Sequence, residues 1–281
     1  MTIAELLPSA AAALARSGVP EHFREANSIM QFAIGRDRVF LIAHPEYELS
    51  HRERQRFDEL LLRRTSREPL QYITGRQEFF GLDFLVTPDV LIPRPETEML
   101  VAKSIDLLGP SAGRFAEIGV GSGCISISIL SRLPEARAVG ADVSTAALGV
   151  AAENAERHGV GERLELIESD LLSRADRRRF DLIVSNPPYV PAADMDGLQP
   201  EVRDFEPALA LTDGGDGLSI VKRIIAEAPV HLRAGGYLVM EIGFDQAAVV
   251  EASFDRDVWR EVAVLPDFQA ISRMAVARLN Y

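Results

Sequence analysis

The chain has 281 residues, 47% of them hydrophobic and 26% charged, which suits an ordinary globular protein of one large domain or two modest ones. A formal net charge of −12 argues against affinity built on neutralising nucleic-acid phosphates. No apolar run reaches the length of a bilayer span, and residues 1–18 lack the pattern of a signal peptide. Cys124, the single cysteine, allows no intrachain disulfide, and a cytoplasmic location is expected.

Residues 1–69 read as a small helical domain. Residues 3–15 are rich in Ala and Leu, and 25–34 and 38–44 carry apolar side chains at helical spacing. Ser50 followed by Glu53 fits a capping box opening a helix over 52–64. The basic runs Arg63, Arg64, Arg67 and Arg177, Arg178, Arg179 are expected to be solvated faces. Residues 70–95 are expected to form a hairpin linker, with a turn at Gly81. Pro93 and Pro95 then hold the backbone extended before a helix over 97–108.

Residues 96–281 alternate between strand-like and helical segments. Short apolar runs at 115–118, 138–142, 164–168, 180–185 and 236–242 suit buried parallel strands, with helices at 124–133 and 145–158 between the earlier ones. This alternation implies an α/β fold with a doubly wound sheet. Two further runs, 258–264 and 274–279, lack a long crossover between them, so one of the two is antiparallel.

In a doubly wound sheet, ligands bind beyond the carboxyl ends of the strands, where strand order reverses. Glu117, Ile118, Gly119, Val120, Gly121, Ser122 and Gly123 follow the first of these strands, and the glycines allow a sharp turn and a close ligand approach. The spacing departs from the dinucleotide fingerprint, because Cys124 stands where its third glycine would fall; Cys124 is read as a small packing residue. Asp142 ends the second strand, where a carboxylate can accept from both hydroxyls of a ribose; a helix-capping role is the alternative. Asp170 can accept from an adenine amino group, with Leu171 packed on the ring.

Asn186, Pro187, Pro188 and Tyr189 end the fourth strand, which neighbours the first across the switch point. A planar amide or ring nitrogen is a poor nucleophile because its lone pair is delocalised. The side-chain oxygen of Asn186 and the carbonyl of Pro187 offer acceptors that can orient such an NH2 group and steady the positive charge that grows on it. The two prolines stiffen the loop, and Tyr189 can stack on a planar group. A Pro-Pro turn that merely caps a strand is the alternative. The five histidines show no metal-ligand spacing, and neither a G-x-S-x-G elbow nor a phosphate-binding P-loop is present, so no metal is expected.

The Asn186-to-Tyr189 motif together with the 119–123 glycine turn resembles class I methyltransferases that modify planar nitrogens. Glu68 to Gly75, Glu78 to Leu82, Leu91 to Glu98, Glu201 to Arg203, Phe205 to Pro207 and Asp216 to Leu218 are similar to bacterial release-factor glutamine methyltransferases. The resemblance implies a sheet of order 3-2-1-4-5-7-6 with one antiparallel strand and S-adenosylmethionine as cofactor. The implied reaction is N5-methylation of the Gly-Gly-Gln glutamine of class I release factors. It places the cofactor on Gly119 to Gly123, Asp142 and Leu171, and the substrate amide on Asn186 to Tyr189; Glu117, Asp170 and Asn186 are further residues expected to bind the cofactor. It also implies a monomer whose N-terminal domain grips the release factor, with no membrane and no direct nucleic-acid contact. Three positions depart from the family pattern: Glu117 replaces a more usual Asp, Leu171 a frequent aromatic, and the run from Asp267 to Arg273 lacks an expected glycine. A ribosomal-protein glutamine methyltransferase, a DNA or RNA amino-methyltransferase and a non-catalytic nucleotide-binding scaffold remain the alternatives.

Overall fold

The computed structural model describes residues 1–110, 113–176 and 178–280, and its chain divides into two compact units. The first comprises Met1–Arg76 and Gln199–Phe205. Its helices are α1 (Ile3–Arg16), α2 (His22–Ile34), α3 (Arg38–Ala43), α4 (His51–Thr65) and α5 (Leu70–Thr74). Capping boxes open α1 at Thr2 and α4 at Ser50, each side chain accepting from the third helical N–H while the Glu there reaches back. Leu6, Leu14, Ile29, Met30 and Phe57 are fully buried between α1, α2 and α4, as their spacing demands.

Arg63 is exposed, as a solvated face requires, but the expectation fails for Arg64, which is buried, and for Arg67, which is half-buried. Arg64 is only 3% exposed, bonded to Glu25 and, at 2.8 Å, to Glu201. Arg67 meets the other Glu201 oxygen at 2.5 Å, and Arg63 meets Glu68 at 2.5 Å. In the second run, Arg178 pairs with Glu165 at 2.5 Å and Arg179 donates to the carbonyls of Pro229 and Val230, whereas Arg177 lies outside the described residues.

The second unit comprises Gln77–Leu198 and Glu206 onward. It opens with the hairpin β1 (Arg76–Phe79) and β2 (Leu82–Leu85). Phe80 and Gly81 both have positive φ, the turn geometry that matches the twist of paired strands. Next come α6 (Glu98–Leu108), β3 (Arg114–Ile118), α7 (Cys124–Arg132), β4 (Arg137–Asp142), α8 (Thr145–Arg157), β5 (Leu164–Glu168) and β6 (Phe180–Ser185). After β6 the chain contributes α9 (Pro200–Phe205) to the first unit, then forms α10 (Ser219–Glu227), β7 (Leu232–Glu241), α11 (Ala247–Ala252), β8 (Trp259–Pro266) and β9 (Ser272–Leu279).

The seven-stranded sheet has the order β5-β4-β3-β6-β7-β9-β8, as the resemblance implied, and β9 is the antiparallel strand. Alternate residues serve its two faces: Ala116 and Ile118 pack in one core with α10, and Phe115 packs in the other with α6 and α7. β7 starts earlier than its apolar run suggests. Its pairing with β6 slips after Phe180–Leu232 and resumes at Leu182–Tyr237, and a Cβ on Gly236 would crowd three carbonyl oxygens.

Candidate active site

Strand register brings the site together. Ile118 lies opposite Ala141 of β4 on one side and Ser185 of β6 on the other. The Ser185 hydroxyl donates to the Ile118 carbonyl at 2.8 Å, so the chain leaves β3 and β6 side by side. A Cβ on Gly119 would sit 3.9 Å from the Asn186 carbonyl oxygen. Between these strand ends opens a cavity of about 370 Å3. It is lined by Glu117, Gly119, Val120, Gly121, Ser122, Asp142, Asp170, Leu171, Asn186, Pro187 and Pro188.

Gly123 and Tyr189, the other two residues expected at the site, do not line the cavity. Gly123 has φ 80° at the start of α7, and a Cβ there would meet Ile127 at 2.8 Å and Ala151 at 3.4 Å. Its lack of a side chain therefore serves helix packing. The Tyr189 hydroxyl donates to Glu241 at 2.9 Å, and burial pushes its pKa up.

The glycine turn is fixed by its own backbone. The N–H groups of Gly119 and Val120 donate to the Ala141 carbonyl at 2.8 and 3.0 Å. Gly121 donates to one carboxylate oxygen of Asp142 at 2.9 Å and Ser144 to the other at 3.0 Å. Ser144, rather than Asp142, caps α8, so the carboxylate keeps lone pairs for a ligand. Gly121 faces open space, the condition for close approach of a ligand to the backbone. Asp170 is exposed and its Oδ2 is bonded to Arg223 at 2.9 Å. Leu171 packs in the core with φ 49°.

Glu117 is 1% exposed and accepts the Ser126 N–H at 2.9 Å. Burial pushes its pKa up to about 8, with the Asp142 charge adding to the rise against the hydrogen bond. Burial likewise pushes the Cys124 thiol up, as befits a packing residue.

Several residues with no role read from sequence hold this site. Thr97 accepts from the Asn186 amide at 3.2 Å and donates to buried Glu241 at 2.7 Å. Gln246 donates to the Tyr189 carbonyl at 2.9 Å. Asn154, wholly buried in α8, ties the Ser122 carbonyl to both polar groups of the Leu85 backbone. Glu206 gathers Arg94 at 2.5 Å and the Ile92 N–H at 3.1 Å, and burial raises its pKa. Asp213 lines the cavity beside a turn it organises itself. Burial works to raise its pKa, but hydrogen bonds from Ser219, Gly215 and Gly217 outweigh that and hold it down to about 2. The Asp-Gly-Gly pattern was a readable signal for that turn.

The cavity fits an adenosyl ligand: a backbone-anchored carboxylate faces it, glycine leaves one wall bare, and Leu171 supplies an apolar surface. Residues 5–75 match the model of the PrmC N-terminal domain, and residues 97–199 match the methyltransferase small domain. A release factor glutamine methyltransferase of Geobacter sulfurreducens is 43% identical over 279 residues, 99% of this chain and 97% of the relative. One of Koribacter versatilis is 41% identical over 281 residues, 99% of each chain. This chain belongs to the release factor glutamine methyltransferase family.

A solved hMettl16 catalytic domain, in complex with a MAT2A 3'UTR hairpin, aligns with a TM-score of 0.60 at 18% identity. It covers 87% of this chain and 93% of its own, a likeness of fold. Ala270 stands in a turn at φ 62°, in the left-handed region that favours glycine. Among the described residues there is no cluster of metal-ligating side chains, and no helix is long and apolar enough to cross a membrane.

Proposed function

We propose that this enzyme transfers a methyl group to N5 of the glutamine in the Gly-Gly-Gln tripeptide of class I release factors. The chain is an S-adenosylmethionine-dependent glutamine methyltransferase that acts on release factors. The observation that carries the finer reading is one cavity shared by the glycine turn and the Asn186, Pro187, Pro188 loop.

When bound, S-adenosylmethionine supplies a methyl carbon made electrophilic by its sulfonium. Gly119, Gly121 and Asp142 would hold it, with Leu171 against the adenine, Asp170 at the rim of its pocket and Glu117 buried in its wall. The Asn186 side-chain oxygen accepts no hydrogen bond among the described residues, and neither does the Pro187 carbonyl. Both are available to accept from the glutamine NH2, turning the nitrogen lone pair toward the methyl carbon and favouring the charge that develops as the N–C bond forms. The nitrogen sheds a proton after attack, so no base strong enough to deprotonate an amide is required. The N-terminal helical unit serves as the grip on the release factor, and the enzyme works as a cytoplasmic monomer without direct nucleic-acid contact.

The test is incubation with S-adenosylmethionine and an unmodified class I release factor, with the product mapped by mass spectrometry. A methyl group on the Gly-Gly-Gln glutamine is expected. Methylation elsewhere, or none by a preparation that binds the cofactor, would overturn the assignment. Asn186→Ala should lower turnover by about 10²–10³ while cofactor binding persists.

A further inference from the structure

The Asn186 amide is held by Thr97, which lines the same cavity, and through it by Glu241, which does not. Thr97 and Glu241 are each 2% exposed. The Thr97 hydroxyl lies 2.7 Å from Glu241 Oε2, the Tyr189 hydroxyl 2.9 Å from Glu241 Oε1, and Asn186 Nδ2 3.2 Å from Thr97 Oγ1. Burial raises the pKa of Glu241, and the hydrogen bonds from Thr97 and Tyr189 work against that rise; as a carboxylate it offers lone pairs alone, and both hydroxyls then donate to it. The proton of Thr97 is thereby committed, and its oxygen presents only lone pairs to Asn186. Only the NH2 end of the Asn186 amide can meet them, which leaves Oδ1 as the end not engaged by the protein.

We propose that Thr97 and Glu241 are positioning residues that fix the Asn186 amide one way round, so that the enzyme offers an acceptor and not a donor to the substrate nitrogen. The inference rests on the reading of Asn186 as the acceptor for the glutamine NH2. A reversed amide would set NH2 against NH2, losing the hydrogen bond and opposing the positive charge that grows on nitrogen. The two rotamers of an asparagine amide are nearly equal in shape, so packing alone discriminates poorly between them, whereas a committed hydroxyl discriminates by hydrogen-bond polarity. A purely structural role would not require both hydroxyl partners of one buried carboxylate to lead into the same Asn-Pro-Pro-Tyr loop. An apolar filling of this space would avoid the cost of burying a charge.

The test compares Thr97→Val, Thr97→Ser, Glu241→Gln and Asn186→Ala for kcat and KM toward the release factor, with cofactor affinity measured by calorimetry. Valine keeps the shape of threonine but removes the hydroxyl, and it should lower kcat by roughly tenfold or more with cofactor affinity little changed. Serine keeps the hydroxyl and should restore most of kcat. Full kcat in folded Thr97→Val, or a Thr97→Ser variant as impaired as the valine one, overturns the proposal. Should Thr97→Val not fold, Glu241→Gln decides. It presents an NH2 to one of the two hydroxyls and should reduce kcat, and wild-type kcat there sinks the relay. If Asn186→Ala itself keeps full kcat, the reading of Asn186 has failed and the relay falls with it. An inactive Asn186→Ala beside a fully active Thr97→Val rejects the relay alone.

Discussion

Gln246 Nε2 donates to the Tyr189 carbonyl at 2.9 Å while its Oε1 accepts the Gly243 N–H at 2.8 Å, so one side chain joins the end of the Asn-Pro-Pro-Tyr loop to the turn after β7. Gly217 closes the same junction, with φ 74° and no room for a Cβ, which would fall 2.2 Å from the Tyr189 oxygen. Gln246→Ala leaves the Gly243 N–H and the Tyr189 and Gly217 carbonyls without this partner and should cost about 1–3 kcal/mol in urea unfolding, together with a lower kcat. Unchanged stability and turnover would show that the loop holds its shape without this tie.

Asp142→Ala removes a carboxylate fixed by two backbone N–H groups. If that carboxylate holds the ribose hydroxyls, cofactor affinity should fall roughly ten- to a hundredfold, the effect of losing hydrogen bonds to a charged group. Calorimetry with S-adenosylmethionine measures it directly, and wild-type affinity would refute the ribose role.

Glu117 links stability to pH. Its pKa rises from 4.5 to about 8 on folding, so the folded state holds a proton that the unfolded chain releases. Its contribution is fully present below about 4.5 and is lost as pH rises through about 8. Glu117→Gln keeps an acceptor for the Ser126 N–H and cannot ionise. In cofactor-free melts the variant should therefore gain over the wild type on moving from mildly acidic pH to pH of about 9. A difference in Tm that is independent of pH would contradict the buried, proton-holding carboxyl.

Ala270 adopts φ 62° in a turn where Asp267 accepts the N–H groups of Gln269 and Ile271. Ala270→Gly should stabilise the protein by about 1 kcal/mol, since the left-handed conformation penalises a Cβ. Because glycine also loosens the unfolded chain, a variant that melts below the wild type would mean that backbone strain here is small.

Most of the sheet was legible because buried parallel strands announce themselves as short apolar runs between helical periods, and the loops at their carboxyl ends carry unusual residues. Register then did what no local pattern shows, setting Ser185 against Ile118 and hence Asn186 beside Gly119. Thr97, Glu241, Gln246 and Asn154 were not legible as site residues, because each acts on a segment distant in sequence. Arg64 was misread for the same reason. A charge run looks solvated until Glu25 and Glu201 close over it.

The membership of Gln199–Phe205 in the helical unit gives that unit a timetable. As the chain leaves the ribosome, the first 76 residues emerge with Arg64 and Arg67 ready but without the Glu201 carboxylate that both will grasp. That acid arrives only after the glycine turn and the Asn-Pro-Pro-Tyr segment have been made. A fragment cut after Arg76 would carry one buried guanidinium short of its second counterion, a defect of a kind that costs about 3–5 kcal/mol when a buried pair is broken. The helical unit thus cannot be completed before residues 117–189 exist, and an interrupted chain leaves Arg64 and Arg67 short of the acid that joins them.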